Sequence, residues 1–287
     1  MPAAATVKRS SRFFSAVVSG YASVFVLALL NLVSVPFALR ALGRDGFGVS
    51  ATILQILAFS QVLQMGVGPS VARFVVDFKC RGDDRLYASF VKTALLLGFI
   101  QAALLVVISI PSVAPLGQLF SIPGQYQSQF EVVVLWCLFS CALGFAFNPV
   151  QQLLYANQRI DIINYIAMGA QTSGALVLVC ALISGYGLFS YVFSAWVTTL
   201  TGTVLAGVWC VRLGLMPSLR GAPFHFAVIP SLTRFSANVM MIMLGQQVIA
   251  IGPAVVINRL LGVGAMGDWS VGTKILQFSQ QLVGRIS

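Results

Sequence analysis

From Ile162 to Val211 the chain runs for 50 residues without an Asp, Glu, Lys or Arg. A helix needs about 20 residues to cross a hydrocarbon layer ~30 Å thick, and a charge at its centre costs several kcal/mol. The run is therefore too long for one crossing and holds two, with Gly185-Tyr186-Gly187 as the tight turn between them. The same criterion predicts spans at 13–39, 48–72, 93–114, 132–155, 163–184, 188–211 and 235–258, and an eighth beginning at Trp269. Composition agrees, because 58% hydrophobic and 8% charged residues leave far more apolar side chain than one water-soluble core can enclose. The fold class that follows is an all-α integral membrane protein, a polytopic helical bundle. Lys8, Arg9 and Arg12 precede the first apolar stretch as they would in a secretory signal, but 13–39 is too long for a signal core and lacks a convincing cleavage site, so it reads as a retained span.

The formal charge of +10 does not point to nucleic acid, because the basic residues form no single patch interleaved with aromatics. They sit between apolar runs and report topology, since lysines and arginines are retained on the cytoplasmic side. Lys8, Arg9, Arg12, Arg73, Lys79, Arg81, Arg85, Lys92, Arg159, Arg212, Arg220 and Arg234 fall on one side, against Arg40, Arg44 and Arg259 on the other. The connection around Pro111, Pro115 and Pro123 and the turn at Gly185 carry none. A cytoplasmic N-terminus is expected.

Residues 40–63, RALGRDGFGVSATILQILAFSQVL, align without a gap on residues 259–282, RLLGVGAMGDWSVGTKILQFSQQL. Ten of the 24 positions are identical: Arg40/Arg259, Leu42/Leu261, Gly43/Gly262, Gly48/Gly267, Ile56/Ile275, Leu57/Leu276, Phe59/Phe278, Ser60/Ser279, Gln61/Gln280 and Leu63/Leu282. Shared glycine, serine and glutamine are not choices that lipid alone imposes. Six spans separate equivalent points, an even number, so the repeat is of the parallel kind whose two lobes face each other across a central cavity. This divides the chain into a cytoplasmic tail at 1–12, a six-span lobe at 13–212, a cytoplasmic linker at 213–234 and the start of a second lobe at 235–287. One lobe alone would expose a polar face to lipid. The expectation is a natural protein that continues past Ser287, a fragment, or lobes of two chains that associate.

Other chemistry is poorly served by these residues. His225 is the one histidine, and Cys80, Cys137, Cys141, Cys180 and Cys210 lack the spacing of a zinc site or a disulfide framework, so no metal is expected. No Gly-rich phosphate loop occurs, and the external loop near 115–131 carries only Glu131, too little for a membrane glycosyltransferase or polymerase. The reading is of a protein that is not an enzyme and needs no cofactor.

The segment ALGRDGFG at 41–48, followed by a long second span closing in QMGVGPSVARFV at 64–75, resembles the N-terminal half of bacterial polysaccharide flippases of the O-antigen type. These belong to the multidrug/oligosaccharidyl-lipid/polysaccharide exporter superfamily. The resemblance covers the whole chain in span order, while its sharper motifs cover the first 80 or so residues and their echo at 259–282. It implies about 12 to 14 spans in two lobes, a multi-pass protein of the bacterial inner membrane, and outward transfer of a polyprenyl-pyrophosphate-linked glycan by alternating access. Membrane lipid and that glycan are the partners it implies. A cation-coupled multidrug exporter of the same superfamily is the alternative. It is weakened because Asp45, Asp77, Asp83, Asp84, Glu131, Asp161 and Asp268 all lie at or near span ends. A non-transporting membrane scaffold is a further alternative.

Polar groups inside spans are the candidate site. Asn148, Gln151, Gln152 and Tyr155 recur at i, i+3, i+4 and i+7 on the fourth span and continue a small-residue stripe from Cys137, Cys141 and Gly144. That face is either a cavity wall binding sugar hydroxyls or helix-to-helix glue. Gln61 and Gln64 on the second span, Asn31 on the first, and Gln280 with Thr273, Gln277 and Gln281 on the eighth are further cavity candidates. The run Gly66-Val67-Gly68-Pro69 predicts a bend in the second span. Lys274, well inside an apolar run, either attracts the pyrophosphate of the cargo or reaches the interface along its stem. Arg40, Arg73 and Arg259 are weaker cationic candidates.

Overall fold

The computed structural model describes the backbone of residues 3–65, 68–80, 84–226 and 229–283. The side chains before Phe14, most of those at 231–239 and those beyond Leu276 fall outside the description. The described chain is helical almost throughout: α1 Ala3–Ser60, α2 Val62–Met65, α3 Gly68–Cys80, α4 Asp84–Leu119, α5 Gly124–Ala156, α6 Ile160–Ile183, a 3-10 turn Gly187–Phe189, α7 Ser190–Arg212, α8 Ile229–Leu260 and α9 Val263–Val283. Six of these are long and apolar enough to cross a membrane. The protein is thus an all-α, multi-pass membrane bundle.

As one straight rod the 58 residues of α1 would be about 87 Å long, nearly three times the hydrocarbon thickness. It is instead broken at Gly43, whose φ of 70° and ψ of 177° lie in a region essentially reserved for glycine. Arms 3–42 and 44–60 then fold back on each other. Phe47 packs in one cluster with Val35 and Ala38, which along an unbroken helix would lie about 14 to 18 Å away. The equivalent glycine of the repeat, Gly262, also has a positive φ, 84°, and separates α8 from α9. The two repeat segments therefore make the same kind of turn at the same aligned position. Gly185 and Gly187, with φ of 83° and 57°, likewise supply the turn predicted between α6 and α7.

Proline positions correct the predicted boundaries. Pro111 and Pro115 lie inside α4, not in a connection, and Pro123 alone of the three caps the next helix. In a membrane helix the freed carbonyl of a proline can be satisfied by neighbouring helices, so proline punctuates less sharply than in a soluble one. α8 begins at Ile229, six residues before the predicted span, because charge marks where a helix enters lipid and not where it starts. Of the run Gly66-Val67-Gly68-Pro69 expected to bend the second span, Gly66 and Val67 lie outside the described residues and Gly68 and Pro69 are helical at the start of α3, while the described interruption is the turn at Gln61 between α1 and α2.

Two apolar clusters stack along the bundle. The one nearer the Gly43 turn joins Val49, Ile53 and Ile56 to Val133, Val134 and Phe145 of α5, and reaches Ala254 of α8 and Val263 and Met266 of the second repeat segment. The other joins Val71, Val75 and Phe78 of α3, Phe90 of α4, Leu153 and Leu154 of α5 and Ala206 of α7. Outside both, side chains such as Leu32, Val107, Val211 and Ile242 are exposed, the inverse of a soluble surface and what lipid as solvent requires. The linker is strapped to the second cluster. The Tyr87 hydroxyl donates to the Leu215 carbonyl (2.8 Å), Lys92 donates to the Ala222 carbonyl (2.9 Å), and the His225 N–H donates to Thr93 Oγ1 (2.8 Å).

Candidate functional site

Where both arms of α1, α6 and α7 face α8 and α9, the bundle shapes a partly open cavity of about 740 Å³. Its walls come from both repeat segments. Asn31 and Ser34 project from arm 3–42, Ser50 and Gln55 from arm 44–60, and Gln171 from α6. Tyr191, Ser194 and Thr198 of α7, Gln246 of α8, and Trp269, Ser270, Thr273 and Lys274 of α9 complete the polar lining, between leucines and alanines. Amides and hydroxyls both donate and accept, so such a wall suits a neutral, hydroxyl-rich guest. Lys274 is the one charged side chain among the lining residues.

Part of this polarity is already committed. Asn31 Nδ2 donates to the Leu27 carbonyl of its own helix (2.9 Å), and Gln55 Nε2 to the Ala250 carbonyl of α8 (3.0 Å). Ser50 donates to the Phe47 carbonyl (2.7 Å) and shares a hydrogen bond with the Tyr191 hydroxyl (3.1 Å), which stiffens the wall between arm 44–60 and α7. Gln171 and Gln246 are exposed and make no hydrogen bond to the described residues, so their amides are available to a guest.

Of the predicted candidates, the structure brings Asn31 and Lys274 together on this cavity. Asn148, Gln151 and Gln152 are not among the lining residues, and Asn148 and Gln152 lie on the face of α5 that meets α3. Gln152 Nε2 donates to Asn148 Oδ1 (3.1 Å), and the two amides back onto Gly68, where a Cβ would come within 3.0 Å of Gln152 Nε2. This is the packing alternative for that stripe. Gln61 reaches Cys141 Sγ (3.8 Å) on α5, and Gln64 lies in the broken segment beside it, away from the cavity. The side chains of Gln277, Gln280 and Gln281 lie outside those described. Arg40 and Arg73 are exposed off the cavity, and Arg259 donates to the Leu119 carbonyl (3.1 Å) at the end of α4.

Sequence reasoning missed Gln55, Gln171, Gln246, Thr198 and Trp269. Gln171 lies within the longest charge-free run, where an amide is itself a signal of contact with protein or water. Neither Gln171 nor Gln246 belongs to a stripe of polar residues at helical spacing of three or four, so periodicity does not mark them. Compared with known proteins, the chain matches no family model, no curated protein and no solved structure.

Proposed function

We propose that the chain is the working part of a flippase-type transporter, moving lipid-linked oligosaccharide or polysaccharide precursor across the inner membrane by alternating access. The observation that carries this reading is the cavity itself: an amphipathic chamber with one cation among its described lining residues, built between two segments of a parallel repeat inside an apolar bundle. Amide and hydroxyl walls match a glycan, Trp269 offers an apolar platform for a sugar face, and Lys274 is placed to attract a pyrophosphate. Among the described residues the lining holds no carboxylate, which favours an anionic cargo over a coupling cation and so favours the flippase over the cation-coupled drug exporter. In this reading the protein is a carrier and not an enzyme, its partners are membrane lipid and the polyprenyl-pyrophosphate-linked glycan, and its N-terminus is cytoplasmic.

The test is genetic and quantitative. Deleting the gene abolishes surface polysaccharide and accumulates its lipid-linked precursor on the cytoplasmic leaflet; the wild-type gene restores export, and Lys274→Ala restores it by about a tenth or less at normal protein level, one unpaired charge contact being worth about 1.4 kcal/mol or more. Export that is unchanged by the deletion overturns the reading.

A further inference from the structure

We propose that the crossing of arm 44–60 over α9 at Gly48 and Gly267 is a closed gate on the side of the Gly43 and Gly262 turns, and that parting this crossing opens the cavity to that side. The inference rests on the transporter reading and adds which residues must separate.

The crossing is unusually intimate. A Cβ built on Gly48 would lie 1.7 Å from the Val263 carbonyl oxygen, so no other residue is compatible with the closed arrangement. From the other side, a Cβ on Gly267 would meet Phe47 Cδ1 at 3.2 Å and the Gly48 nitrogen at 3.4 Å. Gly48 and Gly267 are equivalent in the repeat, and so are Phe47 and Met266, which are both buried and both form part of the cavity lining beside the crossing. Equivalent residues meeting each other is what a two-fold axis through the contact would produce, and it puts the seam on the line along which two lobes separate.

The contacts grade with depth. At the rim Arg44 and Asp268 form a salt bridge with side chains 68% and 60% exposed, a pair that solvent screens and that sharpens register more than it adds strength. Next comes the dry glycine crossing. Below it, on the same face one further turn along, buried Asn258 Nδ2 donates to buried Thr52 Oγ1 (2.9 Å), which donates to the Gly48 carbonyl (3.0 Å). Arg44, Gly48 and Thr52 fall at i, i+4 and i+8, so one helix face carries the whole closure while the adjacent face, with Ser50 and Leu54, lines the cavity. A side chain forced in at Gly48 must therefore pry the two segments apart.

The experiment reads access and needs no cargo. Thr273→Cys, on the cavity wall, is introduced into the full-length protein with its natural cysteines replaced by alanine. It is probed in native membranes with a charged, membrane-impermeant thiol reagent from the side on which a cysteine at position 265 reacts. Labelling is expected to be slow in that parent, and faster by about ten-fold or more with Gly48→Ala, since a minor open state of a few per cent becomes the major one. Gly267→Ala is expected to give a smaller rise, and Arg44→Ala one of about two- to five-fold that Arg44→Asp with Asp268→Arg reverses. Should Gly48→Ala fail to accumulate, the Gly267→Ala rise and the charge reversal carry the test. Full-rate labelling of the parent, or rates indifferent to all these substitutions, overturns the gate and leaves the flippase reading standing. Labelling that follows the expected order supports the gate even where polysaccharide export proves unrelated to this protein.

Discussion

Helices α5 and α8 are both apolar, both longer than a membrane crossing and both carry amides, yet they sit in opposite environments. Half of the most apolar stretch of α5 is buried, against 6% for α8. On α5, Phe145, Leu153 and Leu154 are almost wholly enclosed, and its amides Asn148 and Gln152 are spent on each other and on the close approach of Gly68. On α8, Met241, Ile242 and Ile249 are open, and Gln246 turns into the cavity with no partner among the described residues. An intramembrane amide thus reports either packing or passage, and what decides is whether its neighbours close over it.

The largest expected effect tests burial directly. Phe145→Ala in α5 should lower stability by about 3 kcal/mol, the lower end for such truncations, because in lipid the transfer term shrinks and mainly the lost packing remains. Ile249→Ala in α8, 77% exposed, should change it by no more than about 0.5 kcal/mol. Unfolding of the purified protein in mixed micelles measures both. Equal losses would mean that α8 is as much a core helix as α5 and would break the contrast.

The turns supply the next step down, and here the two regions should agree. Gly43→Ala and Gly262→Ala both place a Cβ on a backbone with positive φ and open space around it, so each should cost about 1 to 2 kcal/mol through backbone strain alone. A matched pair of losses would sharpen the repeat into a shared mechanical feature. A large loss at one glycine and none at the other would show that the turns are not equivalent.

Much of this was legible beforehand because lipid imposes simple rules. The uncharged stretch from Ile162 to Val211 had to fold into two helices, and Gly185 had to turn between them; the ten identities between 40–63 and 259–282 include Gly43 and Gly262, both with positive φ, although the repeat alone did not mark them as turns. What stayed hidden depended on partners distant in sequence. Helical spacing put Asn148 and Gln152 on one face but could not tell whether that face met water or Gly68. Pro111 and Pro115 looked like loop residues because proline breaks soluble helices, whereas α4 runs through both. Gln171 and Gln246 belong to none of the polar stripes read from the sequence, although Asn164 precedes Gln171 on α6 and Gln247 follows Gln246 on α8, and only the folded bundle brings Gln171 and Gln246 to one chamber.

The smallest effect is the most discriminating. If Asn148 and Gln152 are glue, a double-mutant cycle with Asn148→Leu and Gln152→Leu should give a coupling of about 0.6 kcal/mol, the usual size of a hydrogen bond between side chains in a membrane bundle. Each single replacement should cost about 1 kcal/mol, since it leaves a buried amide without its partner. Export in either variant should track the amount of folded protein and nothing more. Gln246→Leu should behave in the reverse manner, leaving stability within about 0.5 kcal/mol while slowing export, because its amide serves no neighbour in the described fold. A cycle with no coupling, joined to export lost at full protein level in Asn148→Leu, would move the α5 stripe from packing to passage, and the distinction between the two helices would have to be redrawn around cargo instead of burial.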